Sequence, residues 1–129
     1  MAFANFKYLL GNFRIRKKEW KPYAEAALIY GSKYAGNDNF ALRESAAYLY
    51  YFANNAEAFE LASQVMDQAI APNKSYDNLL LKAKILHKLG HDQQALIAAD
   101  EAVRIAAVKA EDGAEAITLE KEIRNPKSK

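Results

Sequence analysis

The sequence predicts an all-α chain of repeated helix hairpins, wound as an α-α superhelix and closed by a C-terminal capping helix. Three observations lead there. The alternating apolar–polar pattern of strands is almost absent. Apolar residues recur instead at three- and four-residue spacing, between breaks made by the few Gly, Pro and Asn residues. Two of the resulting hairpins also match each other at corresponding positions.

The elements follow in order. A short helix is expected over about Phe3 to Leu10, stopped at Gly11 and Asn12. A basic stretch comes next, Arg14, Arg16, Lys17, Lys18 and Lys21. It leads into a helix in which Trp20, Tyr23, Ala27, Tyr30 and Tyr34 form an amphipathic stripe. Pro22 is tolerated in its first turn, where a missing N–H costs nothing. Gly36 is expected to take the left-handed cap and Asp38 to cap the next helix. That helix, about Asn39 to Ala53, carries Leu42, Ala46, Leu49 and Phe52 on one face, and Asn54 and Asn55 break it. Another runs from about Glu57 to Ala71, with Leu61, Ala62, Val65, Met66, Ala69 and Ile70 as its apolar face, and stops at Pro72. Ser75 caps a helix through Leu89 that Gly90 halts, and Asp92 is the expected cap of a long helix to about Glu111. Asp112 and Gly113 turn the chain into a last helix, Ala114 to Arg124.

The matching hairpins are the most informative feature. Ala46, Leu49, Phe52 and Ala53, followed by Ala62, Met66 and Ala69, correspond to Ala83, Leu86, Leu89 and Gly90, followed by Ala95, Ala99 and Ala102. The first helices align at an offset of 37 residues and the second helices at 33. Small residues at these positions let antiparallel helices approach, while Leu86 and Leu89 fill the seam. Such a hairpin cannot bury its own face, so hairpins must stack.

At this point the chain resembles the tetratricopeptide superfamily, whose period is about 34 residues. The second hairpin carries the likeness best, reading N-L-L-L-K-A-K-I-L-H-K-L-G-H-D-Q-Q-A-L-I-A-A-D-E-A-V-R-I-A from Asn78 to Ala106. It departs from the family at Asp92, where an aromatic is usual, at Ala99, which replaces a large seam residue, and in lacking a proline after its second helix. The resemblance implies one helical-repeat domain over residues 1–129. Its parts are N-terminal helices (1–36), a first repeat (37–74), a second repeat (75–110) and the capping helix (111–125). Over Trp20 to Ile123 the chain is also similar to a helical region that follows a thioredoxin-like domain in some bacterial cell-envelope proteins. That likeness implies an accessory domain of a thiol-disulfide oxidoreductase, without the redox site, in the periplasm or cell envelope.

Composition narrows the function. Fifty-one per cent hydrophobic and 26% charged residues describe a globular protein able to fold without metal or disulfide. A net charge of +2 is too small to imply a nucleic acid or an anionic membrane surface. With no cysteine there is no catalytic thiol, redox pair or thiolate zinc site. No apolar run has the length of a membrane span. The first residues lack a basic segment ahead of a long apolar one, so no signal peptide is expected.

Sites of chemistry are correspondingly few. His87 and His91 stand four apart, as metal ligands on one helix do, but Gly90 is expected to end the helix between them, and no metal or cofactor is expected. Glu57, Glu60, Glu120 and Glu122 are expected on polar helix faces, with no pocket to shift a carboxyl. No catalytic residue is assigned. The basic run ending at Lys21 is expected to be a solvated linker. Leu49 and Phe52 go to the seam in the repeat alignment. Tyr50 and Tyr51 are left for the opposite side, the side that lines the concave groove in the resembled superfamily. His87 and Lys88 align with them, and Arg43 and Lys84 continue the row. Arg43, Tyr50, Tyr51, Lys84, His87 and Lys88 are therefore the candidate groove for a protein or peptide partner. The superfamily's carboxylate clamp is not expected, because Arg43, Leu80 and Leu81 do not supply its Lys and Asn pattern.

Overall fold

The computed structural model describes residues 20–34, 36, 38–53 and 55–125. The helix expected over Phe3 to Leu10 and the basic residues Arg14 to Lys18 lie outside them. The described residues form six α-helices and no strand. They are α1 (Trp20–Tyr34), α2 (Asn39–Tyr48), α3 (Ala56–Ile70), α4 (Tyr76–Lys88), α5 (Asp92–Val108) and α6 (Ala114–Arg124). A π-helical turn, Leu49–Ala53, continues α2. The chain divides into two compact units, Met1–Asn73 and Lys74–Lys129.

In the first unit α2 and α3 pack as a hairpin, and α1 lies chiefly on α3. The seam buries Leu42, Ala46 and Leu49 against Ala62, Val65, Met66 and Ala69, and α1 adds Tyr23, Ala24, Ala27 and Tyr30. α1 packs tightly at Gly31. A Cβ there would collide with Gln68 Oε1 and come within 3.1 Å of Leu42. The missing side chain lets Gln68 cross the helix, where its Nε2 donates to the Leu28 carbonyl at 2.9 Å.

Polar side chains close the unit, with one departure from the expected capping. Asn55 caps α3 by accepting from the Ala58 N–H at 3.0 Å. Asn39 Nδ2 donates to the Ala69 carbonyl at 2.7 Å, tying the start of α2 to the end of α3. Asp38 does not cap α2. Its carboxylate instead accepts the Tyr30 hydroxyl at 2.6 Å, a charge-assisted bond that outcompetes a backbone N–H also open to water.

The π-helical turn accounts for the second departure. Phe52, assigned to the seam with Leu49, is 44% exposed. A π-helical turn holds more residues than the 3.6 of an α-helix, so each residue after Leu49 is rotated relative to the α-helical row. Phe52 turns outward and stacks on Tyr48 with ring centroids 6.0 Å apart.

The second unit is the α4–α5 hairpin with α6 packed mainly on α5. Ser75 caps α4, its hydroxyl accepting from the Asn78 N–H at 3.2 Å. Gly90 ends α4 at φ +83°. The His91 N–H returns to the Leu86 carbonyl at 2.9 Å and the Gly90 N–H to His87 at 3.0 Å, the paired bonds of a Schellman cap. Ala95, Ala98, Ala99, Ala102 and Ala106 make α5 narrow enough for both neighbours, and all five are buried. Asp92 forms no cap bond to α5, because its carboxylate pairs with His87. The long helix stops three residues short of Glu111. There Ala110 takes φ 57°, while the Glu111 N–H reaches the Ala106 carbonyl at 2.8 Å and the Ala110 N–H reaches Ala107. This is a second Schellman cap, with alanine in the place glycine usually fills. Across from it, the phenol of Tyr76 accepts the N–H of Ala116 at 3.3 Å, satisfying a donor in the first turn of α6.

The two hairpins bury equivalent positions. Ala46 and Ala83, Leu49 and Leu86, Ala62 and Ala95, and Ala69 and Ala102 are all withdrawn from solvent.

Candidate functional site

The six candidate groove residues fall three to each unit. Arg43 lies on α2 with its guanidinium over the ring of Phe40, 5.5 Å from the centroid. Tyr51 is 62% exposed, in the π-helical turn. Tyr50 is half-buried between the two environments. Its ring meets Tyr51 edge-on at 4.9 Å and tilts against Phe59 of α3 at 6.4 Å, so it supports Tyr51 from the hairpin side. On the second unit Lys84 pairs with Glu115 of α6, and His87 pairs with Asp92 at 2.9 Å. Lys88 is exposed at the end of α4.

The first unit also presents an aromatic residue that the repeat alignment passed over. Phe40 is 61% exposed. Phe40, Arg43 and Ala47 succeed one another at steps of three and four residues, which aligns them along one side of α2, and the exposed Tyr51 follows in the π-helical turn. Phe52, stacked on Tyr48, stands in the neighbouring row. The signal for Phe40 was in the sequence, a phenylalanine one turn before Arg43. It carried no weight because the aligned row was followed back only as far as Arg43.

Carboxylates outside this face behave unevenly. Glu57 pairs with Lys21 at 3.2 Å between two exposed side chains. Glu120 is not on a polar face, contrary to the expectation for its helix. It is only 8% exposed, on the buried side of α6 with Ala116, Leu119 and Ile123. Burial raises its pKa, and a hydrogen bond to Asp100 and that residue's charge raise it further, while Arg124 opposes them. The phenol of Tyr30 is pushed up to about 12, by burial and then by its bond to Asp38. Burial raises Tyr76 as well.

Among the described residues no cluster of three or more His, Cys, Asp or Glu side chains is placed to hold a metal ion. Among them, too, no helix is long and apolar enough to cross a membrane. His87 is held by Asp92, and a glycine at positive φ separates it from His91. Compared with known proteins, the chain matches no family model, and no curated protein or solved structure is significantly similar to it.

Proposed function

We propose that this chain is a non-enzymatic interaction module built on tetratricopeptide-like hairpins, and that it takes a protein or peptide segment on the aromatic face of α2. One observation carries the reading. Phe40, Tyr51 and Phe52 stand substantially in solvent and Arg43 lies over the Phe40 ring, on a helix whose other side buries Leu42, Ala46 and Leu49 in the seam. An isolated exposed apolar residue means little, whereas several exposed aromatics on one helix, one of them under an arginine, match the residue types that anchor interfaces. Tyrosine and phenylalanine offer contact area at small entropic cost. Arg43 forms no ion pair among the described residues and supplies a forked donor for a carboxylate. The fitting partner is therefore a segment with an apolar anchor and an acidic group a turn or so away. The charges of the second unit serve such a ligand less well, since Lys84 and His87 already hold Glu115 and Asp92.

The test is calorimetric titration of the protein against a panel of acidic peptides with Phe or Leu anchors. Binding is expected to weaken about tenfold or more in the double variant Arg43→Ala, Tyr51→Ala, with helicity unchanged because neither side chain lies in the seam. Equal binding by the variant, or no peptide bound by the parent protein, would remove this face from consideration.

A further inference from the structure

We propose that the outer side of α5 is a contact surface for a second copy of this chain, reversed in direction and related to the first by a two-fold axis. The alanines of α5 are buried on the side that meets α4 and α6, and the opposite side carries Ile97, Glu101, Arg104 and Val108. These four recur at steps of four, three and four residues, which sets them in one row along the helix. Both ends of the row are apolar and open. Ile97 is 63% exposed and Val108 86%, the two most exposed large apolar side chains among the described residues. Beside Val108, the side chains of Arg104, Ile105 and Lys109 complete the rim of an open cavity of about 180 Å³.

The order of residues in the row selects the occupant. Ile97 and Val108 stand equally far from its midpoint, and so do Glu101 and Arg104. A copy running antiparallel across that midpoint therefore sets Ile97 against Val108 of the second copy and Glu101 against its Arg104, and the symmetry makes each pair twice. A parallel copy would instead oppose glutamate to glutamate and arginine to arginine, which is repulsive. Both charges are available for the exchange. Arg104 is exposed and forms no ion pair among the described residues. Lys74 engages one oxygen of Glu101, and the other is left to accept from a guanidinium. The isoleucine of each copy then enters the cavity beside Val108 of the other. From Ile97 to Val108 the row is about 16 Å long at the rise of an α-helix. An interface of that length belongs with the small, transient ones that bury less than about 1,200 Å².

Sedimentation equilibrium from about 10 μM to about 1 mM protein tests this, a range that spans weak association. The average mass should climb toward that of a dimer as the concentration rises. Glu101→Arg and Arg104→Glu each oppose like charges twice, so each alone should raise the dimer dissociation constant about tenfold or more. Mixed in equal amounts the two variants should associate again, because each supplies the charge that the other lacks. The double variant Glu101→Arg, Arg104→Glu exchanges the two charges and should associate as the parent does. A folding defect cannot be repaired by mixing two defective chains, so the recovery separates pairing from stability. Ile97→Asp, at an exposed position, should abolish association with helicity unchanged. A parent protein still monomeric at about 1 mM overturns the proposal, that being the limit of weak binding. So does a dimer that both single reversals leave intact, which would use another face, or a mixture of the two that stays monomeric.

Discussion

Single atoms decide more of this fold than the composition suggests. Gly31 is a case where the absent Cβ is the functional part, since Gln68 fills that space and bonds the Leu28 carbonyl. Gly31→Ala should therefore cost about 1–2 kcal/mol, through eviction of the amide and pressure on Leu42. In a Gln68→Ala background the same change should cost clearly less, because only the 3.1 Å approach to Leu42 is left to set against about 1 kcal/mol of helix propensity. Denaturation midpoints of the four proteins check this, and additive effects would show that the two positions are not coupled. Ala110 presents the reverse situation, a side chain where none is wanted. Ala110→Gly should stabilise by about 0.5–1 kcal/mol, because φ 57° is costly for an L-residue and open to glycine. Tyr30→Phe should cost about 1.5–2 kcal/mol, since it strips the Asp38 carboxylate of its phenol donor.

At the scale of elements, the periodic features were legible and the pairwise ones were not. The small residues at the helix crossings could be read because their spacing is set by helix geometry alone, and Ala46, Ala62, Ala83, Ala95 and Ala102 are all buried. Ala83→Leu should overpack the α4–α5 contact and lower stability by about 1–3 kcal/mol, a shift visible in the denaturation midpoint. Two capping assignments failed for a common reason. Asp38 and Asp92 stand at helix starts with suitable side chains, yet each meets a stronger donor from the preceding helix, Tyr30 in one case and His87 in the other. Such competition depends on the turn's path and leaves no trace in local sequence. Glu120 is different, because its spacing from Ala116 and Ile123 already put it inside the apolar stripe of α6. Only the habit of assigning glutamate to solvent concealed it.

For the whole molecule the titrating groups fix a pH profile. Tyr30 ionises near 10 in the unfolded chain and near 12 in place. Between those values the unfolded chain holds fewer protons, so stability should fall as pH rises through that window, and Tyr30 should remain protonated at pH 11. Ultraviolet titration of the phenols, compared between the parent and Tyr30→Phe, measures this directly. Equal numbers of phenolates at pH 11 per remaining tyrosine would contradict it. The candidate site was partly visible at this scale. Arg43 and Tyr51 came from the repeat alignment, while Phe40 and Phe52 required the path of α2, because the π-helical turn resets which side chains face outward.

That turn also bears on how such a chain can change over generations. A π-helical turn commonly marks one residue inserted into an ancestral α-helix, and removing one restores the α-helical count. Here a deletion within Leu49–Ala53 would swing the residues that follow back toward the α-helical row, leaving Leu42, Ala46 and Leu49 in place. Length variation at this one spot would thus exchange the aromatic shown on the proposed binding face without disturbing the packed interior, so that recognition by such a face would be adjustable by insertion and deletion as well as by substitution.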